Sequence, residues 1–203
     1  MAEKNKHTTS SIETVNILTT EPAALGLTGL AVAAFVLGAA DLGLTSSLYK
    51  SLMIPWICFF GATAQLIAGI MEFKRNNIFG STVFTGYAMT MYTIAFTVLI
   101  VVFYDIPFDI SHYGFGLIAI LVFSLIATAA SLMVNTVFFS ILIAVDLAVI
   151  SLIFHYLNGT SAVPGGIFLF ITSILSFYAA TAILLNTMAG KTVLSLGKAH
   201  WKP

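Results

Sequence analysis

The chain has 203 residues, of which 59% are hydrophobic and only 8% are charged. Soluble domains carry about 25% charged residues, so these proportions exclude a water-soluble globule, which could not cover its surface, and also a disordered chain. The formal net charge of zero argues against a nucleic-acid-binding surface, and the single cysteine, Cys58, leaves no partner for an intrachain disulfide.

Six apolar segments follow one another between the charged residues, and each is long enough for a membrane-spanning helix, which needs about 20 residues. In chain order the predicted spans are 24–44, 52–73, 82–104, 113–133, 136–157 and 165–188. Polar residues at 131–136 divide the longest charge-free stretch, and turn residues at 158–166 separate the last two spans. The sequence therefore predicts an all-α membrane protein, with a transmembrane domain at 24–188 between an N-terminal tail at 1–23 and a C-terminal tail at 189–203.

Lysine and arginine are distributed unequally between the two sides of the predicted bundle. One side holds seven of them, whereas the other holds Lys50 alone. The seven are Lys4, Lys6, Lys74, Arg75, Lys191, Lys198 and Lys202. Because positive residues collect on the cytoplasmic side of a membrane, both termini are predicted to be cytoplasmic, in a multi-pass protein of the cell membrane (plasma or inner) that is surrounded by lipid.

Two polar residues of the second span lie on one helix face, since Gln65 and Glu72 are seven residues apart. Polar side chains inside a membrane are functional candidates, because burying them without a partner is costly. Each has a simpler explanation as well. Gln65 is expected to form a hydrogen bond between helices, and Glu72 an ion pair with the neighbouring Lys74 or Arg75.

The fifth span contains Asp146, whose placement near the middle of a membrane costs on the order of 3 kcal/mol. It must therefore face protein or water. His155 follows nine residues later, on the opposite side of the same helix. In the third span the hydroxyls of Thr90, Thr93 and Thr97 cover one side and could line a polar path, although threonine also bonds readily to its own helix.

The sequence contains none of the motifs that would indicate catalysis, such as a zinc-protease helix, a nucleophile elbow or a cysteine pair. Gly190-Lys191-Thr192 imitates the end of a phosphate-binding loop, but the earlier glycine of that motif is replaced by Leu185. The chain is therefore predicted not to be an enzyme and to bind neither a cofactor nor a metal.

Two stretches of the chain resemble a known family. Residues 21–27 read Glu-Pro-Ala-Ala-Leu-Gly-Leu and resemble the Asn-Pro-Ala-Pro-Leu-Gly-Leu signature of the acetate uptake transporter family, from which Glu21 and Ala24 depart. The longer match reads Gly-Ala-Thr-Ala-Gln-Leu-Ile-Ala-Gly at 61–69, continues with Glu-Phe-Lys-Arg at 72–75, and includes Phe-Gly and Phe-Thr-Gly-Tyr within 79–87.

This resemblance implies a homohexamer in which each protomer has its own pore. It also implies a narrow hydrophobic constriction formed by Leu30, Tyr87 and Ile141. These residues lie five to seven positions inside the predicted odd-numbered helices, at a similar depth of roughly 8–10 Å. The remaining candidates for substrate binding or gating are Glu21, Pro22, Leu25, Gly26, Gln65, Glu72, Thr90 and His155.

Helix geometry separates the polar residues of the fifth span from one another. His155 lies about 40° around the helix from Ile141 and is placed at the outer mouth of the same pore. Asp146 lies about 140° away from Ile141. It is therefore expected to be structural, bonded at a helix or subunit contact.

The function implied by the resemblance is passage of acetate and related small monocarboxylates, with succinate as a further substrate and with a proton. A carboxylate loses its hydration at an apolar ring, so small or protonated acids cross at the least cost. Tyr87 could bind the carboxyl group, and Glu72 and His155 could handle the proton. Two alternatives remain open: a hexameric channel for a small neutral solute (urea, an amide or ammonia), and a non-transporting membrane sensor or scaffold.

Overall fold

The computed structural model describes residues 20–46, 51–104 and 109–202, and within these ranges the chain forms helices and no strand. Six of them are long and apolar enough to cross a membrane. They are α1 (Ala23–Asp41), α2 (Ser51–Lys74), α3 (Ile78–Phe103), α4 (Ser111–Ser131), α5 (Thr136–Asn158) and α6 (Val163–Ala189). The predicted all-α architecture with six membrane-spanning helices is confirmed.

Local capping explains where the helix ends differ from the prediction. α1 stops at Asp41 rather than at residue 44, because Gly43 adopts a positive φ of 71° and returns its N–H to the last turn. α3 begins earlier than predicted because the Asn77 side chain accepts a hydrogen bond of 3.2 Å from the Gly80 N–H. Pro164 lies within the first turn of α6 and not in the loop. Proline is favoured there because the N–H groups of the first turn have no partner within the helix, and proline has no N–H.

The helices form a closed ring in chain order: each packs on its neighbours in sequence, and α6 returns to lie along α1. Small residues make the close approaches possible. At the α1–α6 contact, for instance, the Ser173 hydroxyl donates to the Ala31 carbonyl across 2.8 Å. α3 and α4 touch less than the other neighbours do. Because the six helices surround an axis and none runs along it, the interior is left to side chains and cavities.

The middle of α2 is wound as a π-helix from Ile57 to Ala64. Its hydrogen bonds reach five residues back instead of four, and the Thr63 hydroxyl follows the same spacing by donating to the Cys58 carbonyl across 2.9 Å. The same hydroxyl lies 2.8 Å from the Tyr92 hydroxyl of α3.

The C-terminal segment that follows α6 is packed against the bundle. The His200 and Trp201 N–H groups donate to the Leu132 carbonyl across 2.8 and 3.0 Å, and the Val137 N–H donates to the Leu196 carbonyl across 3.1 Å. Residues 190–202 thus form a strap over the turn between α4 and α5.

Candidate functional site

Three spaces follow one another inside the ring of helices. At the end where α1 begins and α6 ends lies a space of about 340 Å³, the tail-side vestibule, lined in part by Glu21, Glu72 and Asn186. Next comes a space of only about 20 Å³, the waist. The third, the inner cavity, holds about 260 Å³ and extends towards the other end of the bundle. Adjacent spaces share lining residues, so together they trace one path through the bundle.

Leu30, Tyr87 and Ile141 all line the waist, although they come from α1, α3 and α5. All three are buried. Tyr87 stands nine residues after the observed start of α3, whereas Ile141 stands five after the start of α5. Tyr87 therefore lies farther from the start of its helix than the five to seven positions expected from the sequence, because the capped α3 begins earlier, yet the three side chains line one space.

The Tyr87 hydroxyl continues into a chain of hydrogen bonds away from the waist. It lies 2.7 Å from the Ser124 hydroxyl of α4, and Ser124 in turn donates to Asp146 Oδ1 of α5. Thr128, one turn farther along α4, donates to Asp146 Oδ2 across 2.7 Å. Asp146 therefore lies at a helix contact, but a single hydroxyl connects it to the waist.

Gln65 lies in the waist and is completely buried. Its Nε2 donates to the Gly61 carbonyl of its own helix across 2.5 Å, rather than to another helix. Its Oε1 has no hydrogen-bond partner among the described residues. This orientation of the amide is fixed, because an oxygen turned towards the Gly61 carbonyl would place two acceptors together. Gln65 thus presents an unused acceptor in the narrowest part of the path.

The two acidic residues of the tail-side vestibule have different partners. Glu72 is buried and accepts a hydrogen bond of 2.9 Å from Asn77, while its Oε1 has no partner in the part of the chain that the structure describes. The ion pair expected between Glu72 and Lys74 or Arg75 is not formed. Arg75 instead pairs with Glu21 across 2.6 Å, so the negative charge introduced into the signature by Glu21 is offset by a neighbouring cation.

The other residues of the signature have distinct positions. The Pro22 carbonyl accepts from the Leu25 and Gly26 N–H groups and so begins α1. A Cβ on Gly26 would lie 2.7 Å from the Phe84 ring, so this glycine makes room for a side chain of the waist. Leu25 is 43% exposed on the outside of the ring and lines none of the three spaces.

Thr90 and His155 both line the inner cavity, beyond the waist. The Thr90 hydroxyl donates to the Gly86 carbonyl of its own helix across 3.0 Å, which leaves the oxygen lone pairs for the cavity. His155 Nδ1 lies 2.5 Å from the Thr160 carbonyl, so the histidine holds the turn after α5.

Several residues along the path were not predicted from the sequence. Phe84 and Phe138 line both the tail-side vestibule and the waist, and Leu196 brings the C-terminal strap into the vestibule wall. Ser124 and Thr128 were not predicted either, although hydroxyls four residues apart share one helix face and can donate to both oxygens of a buried carboxyl group. No group of acidic, histidine or cysteine side chains suited to a metal occurs in the described ranges.

The path can select solutes by size and by hydrogen bonding. Its waist is walled by aliphatic and aromatic side chains, with Tyr87 and Gln65 as the polar residues of its lining. A solute passing there leaves its water behind and meets few replacement partners, so a small, weakly charged molecule crosses at the lowest cost in free energy.

Comparison with known proteins finds relatives along most of the chain. The succinate-acetate/proton symporter SatP of Escherichia coli (strain K12) is 28% identical over 191 residues, covering 88% of this chain and 96% of that protein. Acetate permease A of Emericella nidulans is 24% identical over 208 residues, covering 90% and 67%. The meiotically up-regulated gene 86 protein of Schizosaccharomyces pombe is 25% identical over 175 residues, and the chain spans 57% of its length.

The fold has a counterpart among solved structures. The bacterial acetate channel SatP superimposes with a TM-score of 0.81 at 24% sequence identity, covering 89% of this chain and all of that one. The model of the GPR1/FUN34/yaaH family matches residues 6–195. Together with the SatP relatives, this match confirms the resemblance noted in the motifs at 21–27 and 61–87. The chain belongs to the GPR1/FUN34/yaaH family.

Proposed function

We propose that this chain is a membrane channel or transporter for acetate and related small monocarboxylates, and that the solute crosses at the waist together with a proton. One observation carries the proposal: an apolar constriction of Leu30, Tyr87 and Ile141 separates two wider spaces within a single bundle. The names of its relatives, a succinate-acetate/proton symporter and an acetate permease, supply the substrate class.

The waist favours acetate for physical reasons. The methyl group of acetate exchanges its contacts with water for contacts with Leu30 and Ile141, which lowers the free energy. Its carboxyl group loses water, and the loss is smallest when a proton has neutralised the charge. Succinate has to dehydrate two carboxyl groups at the waist, so we expect it to cross more slowly than acetate.

The proposal extends to assembly and location. In this proposal both termini lie in the cytoplasm, so the tail-side vestibule is the cytoplasmic entrance. The protein forms a homohexamer in the plasma or inner membrane, and each protomer has its own pore. The excess of lysine and arginine on the tail side supports the orientation. Large exposed apolar residues on the outside of the ring suit lipid or neighbouring protomers, for example Phe96, Phe115, Ile126 and Ile174. In this arrangement 24–188 is the transport domain, 1–23 and 189–203 are its tails, and the chain has no enzymatic role.

The test is solute flux into proteoliposomes that contain the purified protein. Labelled acetate should enter faster than it enters empty liposomes, and faster than urea or ammonia. Tyr87→Ala should change acetate flux, whereas Tyr104→Ala, at the end of the same helix and outside the path, should not. Faster flux of urea or ammonia than of acetate would favour a neutral-solute channel. Absence of flux for every solute would favour a sensor or scaffold and would overturn the proposal.

A further inference from the structure

Asp146 is the buried charged residue with the clearest connection to the waist. Its side chain is 3% exposed. Neither α4 nor α6, the two helices that pack on α5, contains an Asp, Glu, Lys or Arg. The carboxylate is therefore held by hydroxyl groups and not by a cation, with Ser124 donating to one oxygen and Thr128 to the other.

This arrangement fixes the direction of the next hydrogen bond. A serine hydroxyl has one proton to donate and two lone pairs that accept. Because Ser124 gives its proton to Asp146, it can only accept from Tyr87, across the 2.7 Å that separates the two hydroxyls. The Tyr87 proton is thus used inside the protein, so Tyr87, whose side chain lines the waist, has only oxygen lone pairs left for a solute.

Gln65 adds a second acceptor at the same level. Its Oε1 has no partner among the described residues, since its amide nitrogen is turned to the Gly61 carbonyl. Tyr87 and Gln65 are the polar side chains that line the waist. An acceptor-rich site of this kind binds a solute that brings its own donor, and it repels the lone pairs of a carboxylate.

We propose that Asp146, acting through Ser124, holds Tyr87 as a hydrogen-bond acceptor and so makes the waist select the protonated carboxylic acid over the carboxylate anion. This inference rests on the proposed function. Asp146 is a positioning residue that acts through Ser124 and Tyr87, while Tyr87 and Gln65 touch the solute. The acid donates its O–H to one of the two acceptors as it passes, and this requirement links a proton to each molecule transported.

Other titratable groups lie far along the helices from this chain of hydrogen bonds. On α5, His155 and Tyr156 follow Asp146 by nine and ten residues, roughly 14 Å. On α4, Tyr113 and His112 precede Ser124 by more than ten residues, roughly 16 Å. On α6, Tyr178 donates to the Ser195 carbonyl of the C-terminal strap. Tyr87 of α3 is the titratable residue that reaches Asp146, through Ser124.

The test is the pH dependence of the initial rate of acetate uptake into proteoliposomes, after subtraction of empty liposomes. Carboxylic acids ionise near about pH 4–5. Above pH 6 the concentration of the acid, and with it the uptake rate of the unmodified protein, should therefore fall about tenfold per pH unit. Ser124→Ala removes the acceptor of the Tyr87 proton and frees it for a carboxylate, so the fall should shrink to less than about threefold per pH unit.

Three further variants separate this effect from a structural one. Ser131→Ala makes the same substitution at another buried serine of α4, outside the hydrogen bonds to Tyr87, and should keep the steep profile. Ser124→Thr keeps a hydroxyl at this position and should show the steep pH profile of the unmodified protein. Ser124→Cys fills the same space with a thiol, which is a weak acceptor, and should also flatten the pH profile. This variant replaces Ser124→Ala in the test if the alanine variant does not fold.

The possible results distinguish this inference from the proposed function. Acetate uptake by the unmodified protein that does not fall with rising pH would overturn the inference and leave acetate transport intact. Steep profiles retained by both Ser124→Ala and Ser124→Cys would do the same. No acetate uptake at any pH by the unmodified protein would instead remove the proposed function.

Discussion

Glu21 and Arg75 form an ion pair of 2.6 Å that joins the chain two residues before α1 to the residue after α2. Both side chains are about one-third exposed, so the pair contributes at most about 1 kcal/mol to folding. Its effect is expected on the solute instead, because Glu21 lines the tail-side vestibule. Without Arg75, an unpaired negative charge would stand in this vestibule, where the acid is ionised before or after it crosses the waist with its proton.

We therefore expect Arg75→Gln to reduce acetate uptake at low ionic strength, by about threefold, and to recover much of the loss at high salt, where the charge is screened. The double variant Glu21→Asn with Arg75→Gln should return to the unmodified rate, because both charges are gone. Uptake measured at two salt concentrations checks this. An equal loss in the double variant would show that Arg75 acts through something other than Glu21.

Two leucines of α1 provide a matched test of the waist. Leu30 lines it, whereas Leu25 lies on the outside of the ring. Leu30→Ala should raise uptake of a four-carbon monocarboxylate relative to acetate, because the opening widens, and should destabilise the protein by about 2–5 kcal/mol. Leu25→Ala should change neither quantity appreciably. Competition between labelled acids and thermal unfolding in detergent measure the two effects, and equal selectivity in both variants would contradict the assignment.

Two glycines should respond in opposite directions to alanine. A Cβ on Gly26 would lie 2.7 Å from the Phe84 ring and 2.9 Å from the Ala68 Cβ, so Gly26→Ala should cost about 1–3 kcal/mol of stability and disturb the waist. Gly116, within α4, has nothing within 4 Å of such a Cβ, and Gly116→Ala should stabilise its helix by up to about 1 kcal/mol. Thermal unfolding of both variants measures these changes in stability. A destabilised Gly116→Ala variant would contradict the packing described around Gly116.

The Asn186 side chain holds the start of the C-terminal strap. Its Oδ1 accepts from the Val193 and Leu194 N–H groups across 2.6 and 3.0 Å, and its Nδ2 donates to the Leu194 carbonyl across 2.8 Å. Asn186→Ala should loosen the strap by about 1–3 kcal/mol, since these backbone groups lose their partner.

Trypsin cleavage after Lys191 or Lys198 should then become several times faster, which gel electrophoresis of timed digests measures. Asn158→Ala, at the end of α5, is the matched control and should leave the rate unchanged. Equal cleavage rates in the two variants would mean that other contacts hold the strap.

Much of the fold was predictable because hydropathy and charge are local properties of the chain. The positions of the charged residues divide it into spans, and each span corresponds to one of α1–α6. The ends were less predictable, because they depend on single groups. The Asn77 cap starts α3 early, and Gly43 ends α1 early. Neither effect changes the hydropathy of a span, so averaging over about 20 residues does not detect it.

The sequence by itself determined that the chain spans a membrane six times, and its motifs brought Leu30, Tyr87 and Ile141 together as candidates. Only the tertiary structure decided what these residues touch. The angle between Asp146 and Ile141 on one helix suggested separation, yet Ser124 on the neighbouring helix joins Asp146 to Tyr87. The physical reason is that periodicity fixes directions within a helix, whereas the partner met in each direction depends on how neighbouring helices are packed.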